Sequence, residues 1–238
     1  MKNVVILAAG TGSRLKPLTE NLPKCCLQIG SETLIERIIM QLSRVSQNSD
    51  VKLNIYVVGG FCFDFLKAEI EKLPVNVNLI LNEYYLETNN MESCRMALVE
   101  IPLKDTLIIN ADCAYDYEIV SKMVLATMSC IGIDSSQFFE ENMKVNLKKN
   151  LVTSISKELK NEDNNYTSID IYNFLMTDVS ELQQIMSLYK ANGDLKKWNE
   201  VAIDELVKNK DVGVIDFSGL KWVEIDTLDD LKIARQLW

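Results

Sequence analysis

The sequence predicts an α/β fold, a Rossmann-like doubly wound, mainly parallel mixed sheet flanked by helices. Three observations predict it. An unbroken apolar run, Val4–Leu7, ends on a glycine-rich turn. Strand-like and helix-like stretches then alternate through the first half. Beyond Ile131 the pattern changes to short strands around a polar turn.

Val4–Leu7 is apolar at every position, as expected of a parallel strand covered on both faces. A helical pattern follows over Glu32–Arg44, then a strand at Leu53–Val58, a helix over Phe63–Leu73 and a strand at Val77–Leu81. A helix beginning near Asn89 and a strand at Thr106–Ile109 complete the first half. This alternation argues for βαβ units with right-handed crossovers. From Ile131 to Tyr172, strands are expected at Met143–Leu147, Val152–Ser156 and Ile169–Phe174, around the polar run Asn161–Asn165. They read as a small mixed-strand subregion. Helices at Asp178–Tyr189 and Lys197–Lys208, strands at Val212–Asp216 and Lys221–Ile225, and a last helix from Thr227 complete the chain. No internal repeat interrupts it.

With 238 residues, 47% of them apolar, the chain is long enough to bury a sizeable core. A net charge of −9 argues against a general nucleic-acid or anionic-membrane surface, which would need clustered Lys and Arg. No apolar run approaches the ~18–20 residues that span a bilayer, and no signal-peptide pattern opens the sequence, so a cytoplasmic protein without membrane partners is expected. The six cysteines, Cys25, Cys26, Cys62, Cys94, Cys113 and Cys130, lack Cys-x-x-Cys spacing and read as buried free thiols. The absence of histidine excludes Ser-His-Asp and Cys-His nucleophilic mechanisms.

The most informative segment is Leu7-Ala8-Ala9-Gly10-Thr11-Gly12-Ser13-Arg14-Leu15-Lys16-Pro17-Leu18-Thr19, followed by Pro23-Lys24. Gly10 and Gly12 can take φ > 0 and let backbone N–H groups approach phosphate oxygens. Arg14 offers a fork of donors, and Lys24 a point charge on a flexible stem. Leu15 stands where a dinucleotide fingerprint needs its third glycine. Neither glycine precedes a lysine, which excludes a P-loop. A plain βα turn with incidental charges is the bland alternative.

A triphosphate ligand calls for a hard cation, and Mg²⁺ is bound by one or two carboxylates plus phosphate oxygens. Asp112 follows the apolar run ending Asn110-Ala111, and Asp226 follows Trp222–Ile225, so both fall at strand ends where open α/β sheets gather ligands. Asp116 is an alternative to Asp112. Asp226 has an alternative role as a helix cap, which Thr227 would fill equally well.

Leu-Ala-Ala-Gly-x-Gly-Ser-Arg-Leu-x-Pro-Leu-Thr-x-x-x-Pro-Lys, read from Leu7 to Lys24, resembles the signature of nucleotidyltransferases that load sugar 1-phosphates or phosphorylated small alcohols onto a nucleotide. Within that superfamily the chain is most similar to the short bacterial choline-phosphate cytidylyltransferases, least so between Ser129 and Ile171. The resemblance implies one nucleotidyltransferase domain over 1–238, with a nucleotide-binding half at 1–128 and an acceptor-side half at 129–238. It implies Mg²⁺ on Asp112 and Asp226, and transfer of CMP from CTP to a small phosphorylated acceptor with release of pyrophosphate. Phosphocholine, 2-aminoethylphosphonate and a phosphoglutamine-type acceptor are the candidates, in the service of cell-surface polysaccharide or lipid decoration.

By the same resemblance, Leu7 to Arg14 with Asn82 and Asn110 bind the nucleotide, and Arg14, Lys24 and Lys157 are catalytic. Asn89, Asn90, Lys157 and Trp198 line the acceptor side, although Asn89 also reads as an N-cap. Trp198 matches an aromatic of the choline-phosphate enzymes, where ring faces hold a quaternary ammonium. Asp134–Phe139 departs from the choline pattern. A sugar-1-phosphate nucleotidyltransferase using CTP, UTP or dTTP, and a catalytically silent nucleotide-binding regulatory subunit, are the alternatives. A monomer or homodimer is expected.

Overall fold

The computed structural model describes residues 1–238. In chain order its elements begin with β1 (Lys2–Ala8), β2 (Gln28–Ile29), β3 (Glu32–Thr33), α1 (Leu34–Gln47), β4 (Leu53–Gly59), α2 (Phe63–Ile70), β5 (Val77–Leu81) and α3 (Asn90–Glu100). Next come β6 (Thr106–Asn110), β7 (Cys113–Tyr115), α4 (Tyr117–Leu125), β8 (Cys130–Asp134), β9 (Lys144–Lys148), β10 (Leu151–Ser156) and β11 (Asn165–Phe174). The chain ends with α5 (Met176–Ala191), α6 (Asn199–Leu206), β12 (Gly213–Asp216), β13 (Trp222–Glu224) and α7 (Leu228–Leu237).

Nine strands form one mixed sheet in the order β10-β9-β11-β6-β1-β4-β5, with β8 paired to β11 and β12 paired to β8. The first-half strands run parallel, β1 between β4 and β6. Strand β11 then joins β6 antiparallel. The mixed strands of the second half therefore extend the same sheet. The chain leaves β1 toward β4 and returns to its other side as β6, which makes the β1/β6 boundary the switch point where open α/β sheets bind ligands.

Side-chain alternation along β1 separates two cores, since successive residues of a strand face opposite sides. Val4 and Ile6 pack with α1, α2 and α4, whereas Val5 and Leu7 pack with α3, α5 and α6. A third, smaller core seats α7 against Leu15, Leu27, Ile29 and Leu34. All six cysteines are free thiols. No helix is long and apolar enough to cross a membrane.

Helix α1 starts two residues later than its periodicity suggests, because Glu32 and Thr33 pair with Gln28 and Ile29 in a hairpin. Thr33 then caps the helix in a box with Glu36. Helix α4 and strands β7 and β8 are elements that the sequence pattern did not mark. The short ribbon of β7 and β13 closes a long-range contact, with Cys113 opposite Glu224 and the Ile225 N–H donating to the Asp112 carbonyl at 2.9 Å. That ribbon brings together aspartates 114 positions apart in the sequence.

Candidate active site

The turn after β1 folds back on the segment carrying Lys24. Gly12 has φ of 60°, in the left-handed region, and a Cβ there would lie 2.9 Å from the Cβ of Lys24. Thr19 Oγ1 donates to the Gly12 carbonyl at 2.7 Å, fixing the turn. Glycine is thus required at 12 for both conformation and space. Of the two glycines able to take positive φ, Gly10 does not occupy the left-handed region. A Cβ at Gly10 would meet nothing within 4 Å, so its small size leaves the cavity open above the strand.

Lys24 Nζ donates to Asp226 Oδ1 at 2.6 Å and to Asp112 Oδ2 at 3.0 Å, while Arg14 reaches Asp226 Oδ2 at 2.6 Å. Burial would lower the Lys24 ammonium, but the two carboxylates override it and hold the proton more tightly than in water. Burial pushes Asp226 upward, yet Lys24 and Arg14 keep it below the usual carboxylate range. Asp226 is not the helix cap. Thr227 fills that place, its hydroxyl accepting from the Asp230 N–H. Asp116 faces away from this group, accepting from the Lys221 N–H and from Trp238 Nε1.

Oxygen atoms of Asp112, Glu224 and Asp226 lie within 4.8 Å of one another. A set of hard carboxylate oxygens at a strand-end cluster fits Mg²⁺. Glu224 is pushed up to about 9, by burial first and then by the Asp170, Asp112 and Asp226 charges. A cation there would relieve that crowding.

Two adjoining cavities of about 230 and 240 Å³ share Leu7, Gly10, Arg14, Asp112 and Asp226. The first is walled by Ala8, Thr11, Gly12, Ser13 and Lys24. The second runs past Ala9, Asn82, Asn89, Asn90, Asn110, Lys157 and Trp198. Every residue expected to bind nucleotide, acceptor or metal borders one of these cavities, whereas the alternative ligand Asp116 borders neither.

The asparagines differ in what they can offer a ligand. Asn82 is buried and its amide is spent within the protein. Its Nδ2 donates to Thr88 Oγ1 and Ser93 Oγ, and its Oδ1 accepts from the Tyr84 N–H. These bonds shape the segment leading into α3, while the residue still borders the second cavity. Asn89 accepts from the Asn90 N–H as the N-cap of α3, and Asn90 Oδ1 accepts from the Asn199 N–H at 2.9 Å. Asn110, 9% exposed, keeps its Oδ1 without a hydrogen-bond partner.

Lys157, just past β10, places its ammonium 5.1 Å from the centre of the Trp198 ring. The cavity lining also includes residues that the sequence did not assign to the site, among them Tyr85, Asp170, Glu200 and Glu224. Asp170 has φ of 58° at a bulge in β11, where the pairing with β8 shifts register. The Tyr172 hydroxyl lies 2.9 Å from both Asp170 Oδ1 and Glu200 Oε1. Burial, reinforced by the Asp112 charge, pushes Asp170 up to about 6. Burial, reinforced by Asp170, pushes Glu200 up to about 8. The available sequence signal was an acid inside the apolar run Ile169-Asp170-Ile171, a pattern shared with half-exposed strands.

A family profile described as MobA-like NTP transferase domain matches residues 4–130. A bifunctional IPC transferase and DIPP synthase from Aquifex aeolicus is 26% identical over 239 residues, 99% of this chain and 51% of that protein. The CTP:phosphoglutamine cytidylyltransferase of Campylobacter jejuni is 36% identical over 129 residues, 52% of this chain and 49% of that protein. The chain spans about half the length of the curated relatives it matches. Among solved structures, the CTP:phosphocholine cytidylyltransferase of Streptococcus pneumoniae superposes with a TM-score of 0.79 at 22% identity, covering 99% of this chain and 98% of that one. That likeness is one of fold. With the profile covering the β1 turn, β6 and the Asp112 strand end, the chain belongs to the MobA-like NTP transferase domain family, a family of nucleotidyltransferases.

Proposed function

We propose that the protein is a CTP-dependent cytidylyltransferase acting on a small phosphorylated acceptor, in the service of cell-surface polysaccharide or lipid decoration. The observation that carries the reading is Lys24, an ammonium in the first cavity held between Asp112 and Asp226, the two carboxylates that border both cavities. Relatives of matching sequence that use CTP favour the cytidine nucleotide over other bases.

In this reading the triphosphate lies along the β1 turn, with its β and γ phosphates toward Arg14 and the backbone from Thr11 to Ser13. The acceptor phosphate approaches from the second cavity, steered by Lys157. One of its oxygens attacks the α-phosphorus in line, forming a P–O bond as the α–β bridging P–O bond breaks. Pyrophosphate leaves with the bonding electron pair. No protein nucleophile takes part. Lys24 is placed to offset charge growing on the α-phosphate, so that catalysis is positioning plus electrostatic stabilisation. Asp112 and Asp226, with Glu224 beside them, would hold Mg²⁺, which supplies charge neutralisation at the phosphates when bound.

The test is pyrophosphate release from CTP, UTP and dTTP against phosphocholine, 2-aminoethylphosphonate, phosphoglutamine, glucose 1-phosphate and inositol 1-phosphate. Turnover confined to CTP with a non-sugar acceptor is expected. A sugar phosphate as the best acceptor would move the protein to the sugar-1-phosphate branch, and no turnover with any pairing would favour a silent regulatory subunit.

A further inference from the structure

The floor of the second cavity holds two carboxylates, Asp170 and Glu200, at 7% and 2% exposure, and neither forms an ion pair. Buried carboxylates are costly unless paired with a cation. The Tyr172 hydroxyl has one proton for the two of them. The Asn199 amide nitrogen, turned toward Glu200, reaches its oxygens at 2.9 and 3.0 Å but brings no charge. Beside them stands Asn110, whose amide N–H groups also serve the two carboxylates without bringing charge, and whose buried Oδ1 is an acceptor without a donor. Unsatisfied buried acceptors of this kind mark ligand positions. Asp170 is held in the left-handed region by the β11 bulge, a conformation that costs free energy and concentrates at functional sites.

We infer that Asp170, Glu200 and Asn110 form a subsite for a primary ammonium group on the acceptor, selecting N–H donors over a quaternary ammonium. The inference rests on the cytidylyltransferase reading for the acceptor's phosphate end. A primary ammonium brings both the missing charge and up to three N–H donors, whereas a trimethylammonium brings charge alone and would leave Asn110 Oδ1 desolvated and unpaired. Aromatic faces are the usual hold on a quaternary ammonium. Here the Trp198 face already carries the Lys157 ammonium, and Trp198 is 44% exposed. The acceptor class is therefore a phosphate monoester or phosphonate with a primary amine a few bonds from phosphorus.

Calorimetry on the full chain, with and without α,β-methylene-CTP, would compare 2-aminoethyl phosphate, phosphocholine and ethyl phosphate. Binding of 2-aminoethyl phosphate about 10- to 100-fold tighter than either of the others is expected, the scale of hydrogen bonds to a charged group. D170N and E200Q are isosteric and leave Tyr172 an acceptor, and each should remove most of that preference. Equal or tighter binding of phosphocholine, survival of the preference in both variants, or no binding of any of the three would overturn the subsite. The same acceptors with CTP separate the two claims. Selective binding without pyrophosphate release overturns the transferase reading alone, and turnover of all three at equal kcat/KM overturns the subsite alone.

Discussion

Lys24 Nζ stands 2.6 Å from Asp226 Oδ1, joining a loop that follows β1 to the strand end that precedes α7. Its side chain is 12% exposed, so the ammonium has exchanged water for carboxylates. An ammonium in that position is worth far more to a developing phosphate charge than one in solvent. Lys24→Ala is expected to lower kcat for pyrophosphate release by about 10²-fold or more, the scale of a lost transition-state donor. A K24A enzyme turning over near the wild-type rate would exclude the role.

Removing the metal should act through the same carboxylates. Mg²⁺ titrated into the wild-type protein is expected to raise Tm, because a ligand that binds only the folded state stabilises it. EDTA should abolish both that shift and turnover. In D226N the Mg²⁺-dependent shift should vanish while the metal-free protein still unfolds cooperatively. An unchanged Mg²⁺ response in D226N would show that Asp226 is not a ligand.

How far the sequence revealed this site depends on distance along the chain. The β1 turn was legible because its parts are local, with Gly12, Arg14 and Lys24 within 13 positions. Asp112 and Asp226 stood out singly, each ending an apolar run, but their meeting depends on the β7–β13 ribbon, whose three-residue strands carry little periodic signal. Asp170 stayed hidden for another reason. An acid between two isoleucines reads as the solvent face of a strand, and only the bulge in β11 turns it into the cavity. Glu200 reads as an ordinary first-turn acid, favourable to a helix dipole anywhere. Gly10 and Gly12 look alike in sequence, yet only Gly12 passes over Lys24 and takes the left-handed conformation that both could adopt.

Glu200 gives a pH dependence with a defined sign. Its carboxyl titrates near 4.5 in the unfolded chain and near 8 in the folded protein. Between those values the folded state holds the extra proton, so stability falls as pH rises. Its favourable contribution is complete below about pH 4.5 and is lost through about pH 8. E200Q keeps a hydrogen-bond acceptor for Tyr172 without the titrating proton. Its Tm, relative to wild type, is therefore expected to climb between about pH 5 and about pH 8.5, read by thermal melts in matched buffers. A difference that stays constant across that range would remove Glu200 as the source.

Asp230 offers the last test, because it ties the cap of α7 to the backbone of Asp226. Its Oδ2 accepts from the Thr227 N–H at 2.7 Å, from Thr227 Oγ1 at 2.8 Å and from the Asp226 N–H at 3.0 Å. One carboxylate thereby satisfies two helix-end donors and fixes the residue that meets Lys24. Asp230→Ala should cost about 1 kcal/mol of stability, the usual value of a lost capping interaction. If Asp230 did no more than cap the helix, activity well below Tm would be untouched. Because it also sets the Asp226 backbone, kcat is expected to fall by more than the stability loss alone explains, measured well below Tm. Thr227→Ala separates the two effects, since it removes the hydroxyl cap yet leaves the Asp226 N–H bonded to Asp230. Its stability loss should match that of D230A, with a smaller loss of kcat. Equal losses of kcat in the two variants would assign the effect to capping alone.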